Sequence, residues 1–236
     1  MQKLLSSIRS ACQQYNMIEE GDKIAVGVSA GKDSLALLAA MAKLRSFYPV
    51  NFEIIAITVD MRFENKNGDF SEIKALCDKL NVEYFIKETD LAELIFNVRK
   101  EKNPCSLCSK MRRGILISTA KELGCNKIVL GHHLDDLSET FMMNLLKGAR
   151  FDCFMPVTEF PDNNIAVIRP MIFARESDCA RVARNENLPV KKSLCPADKN
   201  TDREEMKEFI KSLEKDYGNV RLKILEAMQN AHINGY

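Results

Sequence analysis

No apolar run in this 236-residue chain is long enough to span a bilayer, and Met1 to Met17 mixes polar and apolar residues instead of forming the apolar core of a leader. The expectation is a soluble, cytoplasmic protein with no membrane partner. Internal repeats and low-complexity linkers are missing as well, which leaves one domain with a helical tail. Nor is there an excess of charge of either sign. The 34 Lys and Arg against 33 Asp and Glu leave a formal net charge of +1. A protein gripping RNA over a wide face is more basic, so any nucleic-acid site has to be local. Two familiar phosphate-binding signatures, G-x-x-x-x-G-K-[ST] and G-x-G-x-x-G, are both absent. So is a second C-x-x-C pair that would complete a four-thiolate zinc site.

What the chain does contain is an ordinary core and a regular alternation of elements. An apolar content of 46% suffices for one α/β domain. Gln2 to Asn16 has helical period, and short apolar runs begin at Ile24, Asn51, Val82 and Lys127. Helical segments follow at Leu35 to Leu44, Ser71 to Leu80, Asp90 to Asn97, Ser109 to Gly124 and Asp135 to Lys147, the last stopped by Gly148. Strand and helix in turn predict a parallel sheet with helices on both faces, Rossmann-like in class. Met155 to Phe160 and Ile165 to Arg169 are two extended runs around a Pro161-Asp162-Asn163-Asn164 turn. Arg175 to Asn187 is helical, Thr201-Asp202-Arg203-Glu204 spaces a capping box for a helix to about Tyr217, and Val220 to His232 is a last helix. The expected division is an α/β core over 1–187, then a cysteine loop and helical tail over 188–236.

Three stretches carry chemistry. The first is I-A-V-G-V-S-A-G-K-D-S, Ile24 to Ser34: a buried strand that breaks into a polar loop and a helix. That order gathers free amides and a positive helix end at one point, which suits phosphate, although a plain strand-to-helix turn reads the same way. The second is G-H-H-L-D-D-L-S-E, Gly131 to Glu139, delivered by the fourth strand to the same edge of the sheet. Asp135 and Asp136 at a helix start serve as caps or as ligands, and His132 and His133 as packed supports or as site residues. Asp60, at the end of the second strand, is either a turn residue or a neighbour of the same site. The third is P-C-S-L-C, Cys105 and Cys108, with Cys195 in S-L-C-P. A C-x-x-C pair is a zinc half-site, an iron–sulfur half-site or a redox pair. The other five cysteines fall on helix or strand faces and read as core. Arg99, Lys100, Lys102, Lys110, Arg112 and Arg113 flank the pair, and Lys191 and Lys192 precede Cys195. Both cysteine segments are therefore basic, which places an RNA backbone there.

S-A-G-K-D-S resembles the S-G-G-x-D-S loop of the PP-loop ATP pyrophosphatases, with Ala30 where that family has Gly. The resemblance implies that the loop amides, Gly31, Lys32 and the hydroxyls of Ser29 and Ser34 hold the β- and γ-phosphates of ATP. Asp33 would act with Mg²⁺ or as a backbone cap. Taken with P-C-S-L-C-S-K-M-R-R-G-I-L, G-H-H-L-D-D-L-S-E-T and S-L-C-P, the chain resembles the TtcA-type tRNA 2-thiocytidine synthetases from about Leu4 to Asn230. That branch implies an ATP-dependent sulfurtransferase that adenylates O2 of a cytidine in the tRNA anticodon loop and displaces AMP with sulfide from a [4Fe–4S] cluster. Cys105, Cys108 and Cys195 would be the cluster ligands. Asp136, or Asp135, would bind Mg²⁺ or orient the base, and Asp60, Gly131 and His133 would line the nucleotide. A sulfide donor such as a cysteine desulfurase is the implied partner, and a symmetric homodimer is the default assembly. A tRNA 2-thiouridine synthetase and a non-enzymatic nucleotide and Fe–S sensor are the rival readings.

Overall fold

The computed structural model describes residues 1–63, 66–99, 104–196 and 202–236. Six strands form one sheet: β1 (Asp22–Gly27), β2 (Phe52–Asp60), β3 (Glu83–Glu88), β4 (Lys127–Val129), β5 (Val157–Phe160) and β6 (Ile165–Ile168). Their order is β3-β2-β1-β4-β6-β5. All neighbours run parallel except β5, which pairs antiparallel with β6. The β5–β6 turn closes with Asn164 in a left-handed conformation, a position that asparagine tolerates. From β1 the chain winds outward to β2 and β3, then returns to place β4 on the other side of β1. The β1/β4 gap is thus a topological switch point, where open α/β sheets bind ligands beyond the strands' carboxyl ends.

Helices cover both faces. They are α1 (Gln2–Gln14), α2 (Lys32–Leu44), α3 (Ser71–Lys79), α4 (Pro104–Glu122), α5 (Leu134–Gly148) and α6 (Glu176–Asn185). Leu116, Ile117 and Ala120 of α4 bury one face against Ala25, Ile55, Ile57, Ile128 and Val167. The opposite core gathers Leu4 and Ile8 of α1 with Leu35, Leu37, Leu38, Met41 and Leu44 of α2. Two further helices, α7 (Asp202–Tyr217) and α8 (Val220–Asn230), pack against α5.

Several boundaries differ from the sequence expectation. The helix expected from Ser109 begins at Pro104, because proline is pre-organised for a first helical position, so Cys105 and Cys108 share one helical face. Glu93–Arg99 is a π-helical segment. Gly148 is the last residue of α5 rather than its stop, and Ala149 takes the left-handed cap (φ 48°). Thr201 of the expected capping box, like Lys100 and Lys102 of the basic flank, lies outside the described residues.

Candidate active site

Both polar motifs follow the two strands that flank the switch point. Leaving β1, the chain passes through Ser29 and Ala30 to Gly31, the N-cap of α2, which has no side-chain cap. Its first amides are therefore available to an anion. Ser34 stitches the loop: its hydroxyl accepts from the Ser29 amide at 3.0 Å and donates to the Gly31 carbonyl at 3.0 Å. Ala30 is left-handed (φ 60°), which costs a non-glycine residue roughly 1–2 kcal/mol. The five large side chains of α2 buried behind it, worth roughly 1.5–3 kcal/mol each, hold the loop against that strain. Ala30→Gly relieves the strain but frees the unfolded chain by roughly 0.5–1 kcal/mol. A net gain of about 0.5–1 kcal/mol is expected, seen by calorimetry as a rise in Tm of about 1–4 °C.

Lys32 sits in a charge chain. Its ammonium contacts Asp33 Oδ2 at 2.9 Å and Glu176 Oε1 at 2.9 Å, and Lys207 of α7 holds Glu176 Oε2 at 2.8 Å. Burial works against the Lys32 charge, but hydrogen bonds to Glu176 and Asp33 outweigh it and hold the pKa above the usual lysine range. Burial likewise opposes ionisation of Glu176, yet Lys207 and Lys32 bring its carboxyl down to about 2. The other oxygen of Asp33, Oδ1, is shut from solvent without a hydrogen-bond partner. His133 Nε2 stands 3.8 Å from it, beyond hydrogen-bond length. A buried carboxylate oxygen with no partner is what a bound cation would satisfy, so Asp33 fits a magnesium ligand.

His133 is the N-cap of α5. Its Nδ1 accepts from the Asp136 amide at 3.2 Å while Asp136 Oδ2 accepts from the His133 amide at 3.0 Å, a closed capping box. Asp136 Oδ1 is held by Arg203 of α7 at 2.6 Å. Asp135 Oδ2 accepts from the Glu176 amide at 2.7 Å and its Oδ1 pairs with Arg221 at 2.9 Å. Each oxygen of the two aspartates thus has a protein partner. Burial opposes the Asp136 charge, but His133, His132 and Arg203 hold its carboxyl below the usual range. His132 stacks on Phe154, and burial pulls its pKa down to about 4, so it is neutral at physiological pH. The two loops meet at Gly131, where a Cβ would lie in contact with the Asp33 carbonyl at 3.4 Å. Asp60 ends β2, and its carboxylate accepts from the amides of Arg62 and Gly68.

Glu139 is 4% exposed and lies 4.0 Å from Arg203. Burial, with the Asp136 charge adding, pushes its carboxyl up to about 7. The folded chain holds this proton more tightly than the unfolded one. The resulting stability is present below about pH 4.5 and is lost as pH rises to about 7. Glu139→Gln is expected to flatten that part of the stability curve, checked by urea melts between pH 4.5 and pH 8.

The cysteines divide by burial. Cys12, Cys77, Cys125, Cys153 and Cys179 are buried; Cys105 is exposed, and Cys108 and Cys195 are half-buried. Burial pushes the Cys108 thiol up, Arg112 opposes this, and Cys195 and Cys105 push it further. Cys108 therefore feels a thiol 87 positions away as well as its helical neighbour. Among the described residues no three His, Cys, Asp or Glu side chains are arranged around a single metal ion. Two thiols one helical turn apart, exposed or half-buried, with a third half-buried on a loop, are a donor set that fits an iron–sulfur cluster. The Lys191 amide donates to the Ala30 carbonyl at 3.1 Å, and the Lys191 ammonium reaches Asp69 Oδ2 at 2.9 Å. Cys195 is four residues on, at most about 14 Å along the chain. Arg99, Lys110, Arg112, Arg113 and Lys192 are exposed around these segments.

Glu176 and Lys207 were not legible as site residues, since Glu176 reads simply as an acidic first turn. Arg203 reads only as part of a capping box, and Lys191 as a basic neighbour of Cys195 rather than as its tie to the phosphate loop.

A PP-loop domain family model matches residues 3–214. The tRNA-cytidine(32) 2-sulfurtransferase of Dechloromonas aromatica is 39% identical, over 92% of this chain and 75% of its own. That of Polaromonas naphthalenivorans is 38% identical, over 97% and 73%. Among solved structures, the U34-tRNA thiolase NcsA from Methanococcus maripaludis with its [4Fe–4S] cluster superposes with a TM-score of 0.76. It is 23% identical and aligns over 98% of this chain and 80% of its own, a likeness of fold.

Proposed function

The chain belongs to the PP-loop domain family and, within it, to the tRNA-cytidine(32) 2-sulfurtransferases, and from that premise we propose how its residues thiolate cytidine 32 of the tRNA anticodon loop with ATP. The observation that carries the reading is the hydrogen bond from Lys191 to Ala30, which ties the Cys195 segment to the phosphate loop at the β1/β4 switch point. The cytidine O2 bonds to the α-phosphorus as the bond to pyrophosphate breaks. Sulfide then adds at C2, and AMP leaves with the former O2.

Ser29, Gly31, Ser34 and the α2 amides hold the β- and γ-phosphates, and Lys32 takes up charge on the departing pyrophosphate. Asp33 presents its unpartnered oxygen to Mg²⁺. Asp60 and Gly131 shape the nucleotide's walls, and His133 caps α5 on the opposite loop beside Asp33. Asp135 and Asp136 anchor α6 and α7 behind the site, and Asp136 helps to orient the base through that frame. Cys105, Cys108 and Cys195 would hold a [4Fe–4S] cluster, which when bound would supply the sulfide. The exposed basic residues beside both cysteine segments take the RNA backbone. A cysteine desulfurase, with a thiol reductant that releases its persulfide sulfur as sulfide, is a fitting donor, and a cytoplasmic, single-domain homodimer the fitting form.

Mass spectrometry of tRNA nucleosides from a strain lacking the gene, beside its parent, tests the assignment. Loss of 2-thiocytidine alone is expected. Loss of 2-thiouridine instead would move the substrate, and an unchanged nucleoside profile would sink the tRNA reading.

A further inference from the structure

A cavity of about 230 Å³ opens beside the cysteine loop, lined by Arg62 and Phe63 after β2, by Glu93, Phe96 and Asn97 of the π-helical segment, and by the residues on either side of Cys195. We propose that this cavity receives the target base, swung out of the RNA loop, and that Glu93 selects cytosine over uracil. The inference rests on the sulfurtransferase reading for the identity of the base.

The cavity is smaller than the roughly 300–1,000 Å³ of drug-sized pockets, and so suits a single heterocycle. Phe63 and Phe96 lie 6.3 Å apart with their rings inclined at 45°. Such splayed rings offer the stacking face on which unpaired RNA bases are held. Asp60 accepts from the amides of Arg62 and Gly68, and Arg62, next to Phe63, is left-handed (φ 52°), a conformation held at a cost. The Arg62 side chain is drawn to Asp90 at 3.0 Å while its Nε is buried without a partner.

The polar edge is a matched pair. Asn97 donates to Glu93 Oε2 at 2.6 Å, which leaves Glu93 Oε1 as an acceptor and the second Asn97 amide hydrogen as a donor. Cytosine offers the complement: an amino group at N4 for the carboxylate and an acceptor at N3 for the amide. Uracil reverses both, with O4 against the carboxylate and N3–H against the amide. Leu194 and Pro196 form the remaining wall, so a base in this cavity sits next to Cys195. Lys191 joins that segment to the phosphate loop. The chief rival occupant is the adenine of ATP, which also carries an amino group beside a ring acceptor.

The test compares binding of the full-length, cluster-loaded protein to anticodon stem-loop RNAs with cytidine, uridine or an abasic site at the target position. ATP binding is measured on the same samples. Cytidine RNA is expected to bind about 5- to 150-fold more tightly than uridine RNA, the discrimination that a good base-edge pair carries. Glu93→Gln, whose amide can serve O4, brings that ratio toward one and leaves abasic RNA and ATP binding unchanged. Phe96→Ala weakens cytidine and uridine RNA alike, relative to abasic RNA. An unchanged ratio in Glu93→Gln, equal binding of all three RNAs by the unsubstituted protein, or a loss confined to ATP would each overturn the proposal. Thiolation of the cytidine RNA, followed in parallel, judges the reaction separately. Product without base discrimination removes the pocket alone, whereas discrimination without product removes the reaction and keeps the pocket.

Discussion

Cys195→Ala is expected to reduce thiolation to background while leaving the fold intact. Cys195 is half-buried in a loop, and its amide donates to the Ser193 hydroxyl. Removing the thiol opens no cavity in the core, so the large-to-small penalty of buried sites does not apply. With Cys195 gone, Cys105 and Cys108 stand on one helical face with no thiol opposite. Two ligands on one side hold a cluster poorly. Loss of visible absorbance and of bound iron, at unchanged Tm, is the signature to measure. The control is Cys125→Ala, buried behind α4 at 5% exposure. That change is expected to lower stability and leave iron content alone. Iron retained in Cys195→Ala, or lost in Cys125→Ala, would show that the cluster is held elsewhere.

The second large effect is expected at the phosphate loop. Lys32→Ala removes the only side-chain cation directly paired with Asp33 among the described residues. Removing one preorganised group that meets transition-state charge typically costs about 10²- to 10³-fold in kcat, and a loss of that size is expected in pyrophosphate release with tRNA present. The fold should tolerate the change, because Glu176 keeps Lys207 at 2.8 Å. Affinity for tRNA should stay the same, since Lys32 faces the nucleotide loop rather than the exposed basic segments. A parallel loss of kcat and RNA affinity would place Lys32 in RNA binding instead. Lys32→Arg is a sharper version: it keeps the charge but replaces a compact ammonium with a planar fork, and full activity in it would mean that charge alone suffices.

Much of this molecule follows from local pattern. The period of α1, the apolar runs of β1, β2 and β4 and the turn between β5 and β6 are set within a few residues, by side-chain alternation and backbone preference. For the same reason the order of phosphate loop, cysteine pair and G-H-H-L-D-D could be read directly from the chain. One local preference is overridden: a glycine at 148 predicts the stop of α5, but the helix carries through it and Ala149 takes the left-handed position. Ala30 carries a conformation that its side chain disfavours, because α2 is buried deeply enough to impose it.

The site's assembly was decided by tertiary structure. The bond from Lys191 to Ala30 and the hold of Arg203 and Lys207 on Asp136 and Glu176 each join residues far apart in sequence. Such pairings have no period or spacing, since they arise only where α7 packs on α5 and where the sheet reverses its winding between β1 and β4. The sequence alone determined which chemistry the chain carries; the packing of distant elements determined which side chains share one site, because only folding brings their charges within reach of one another.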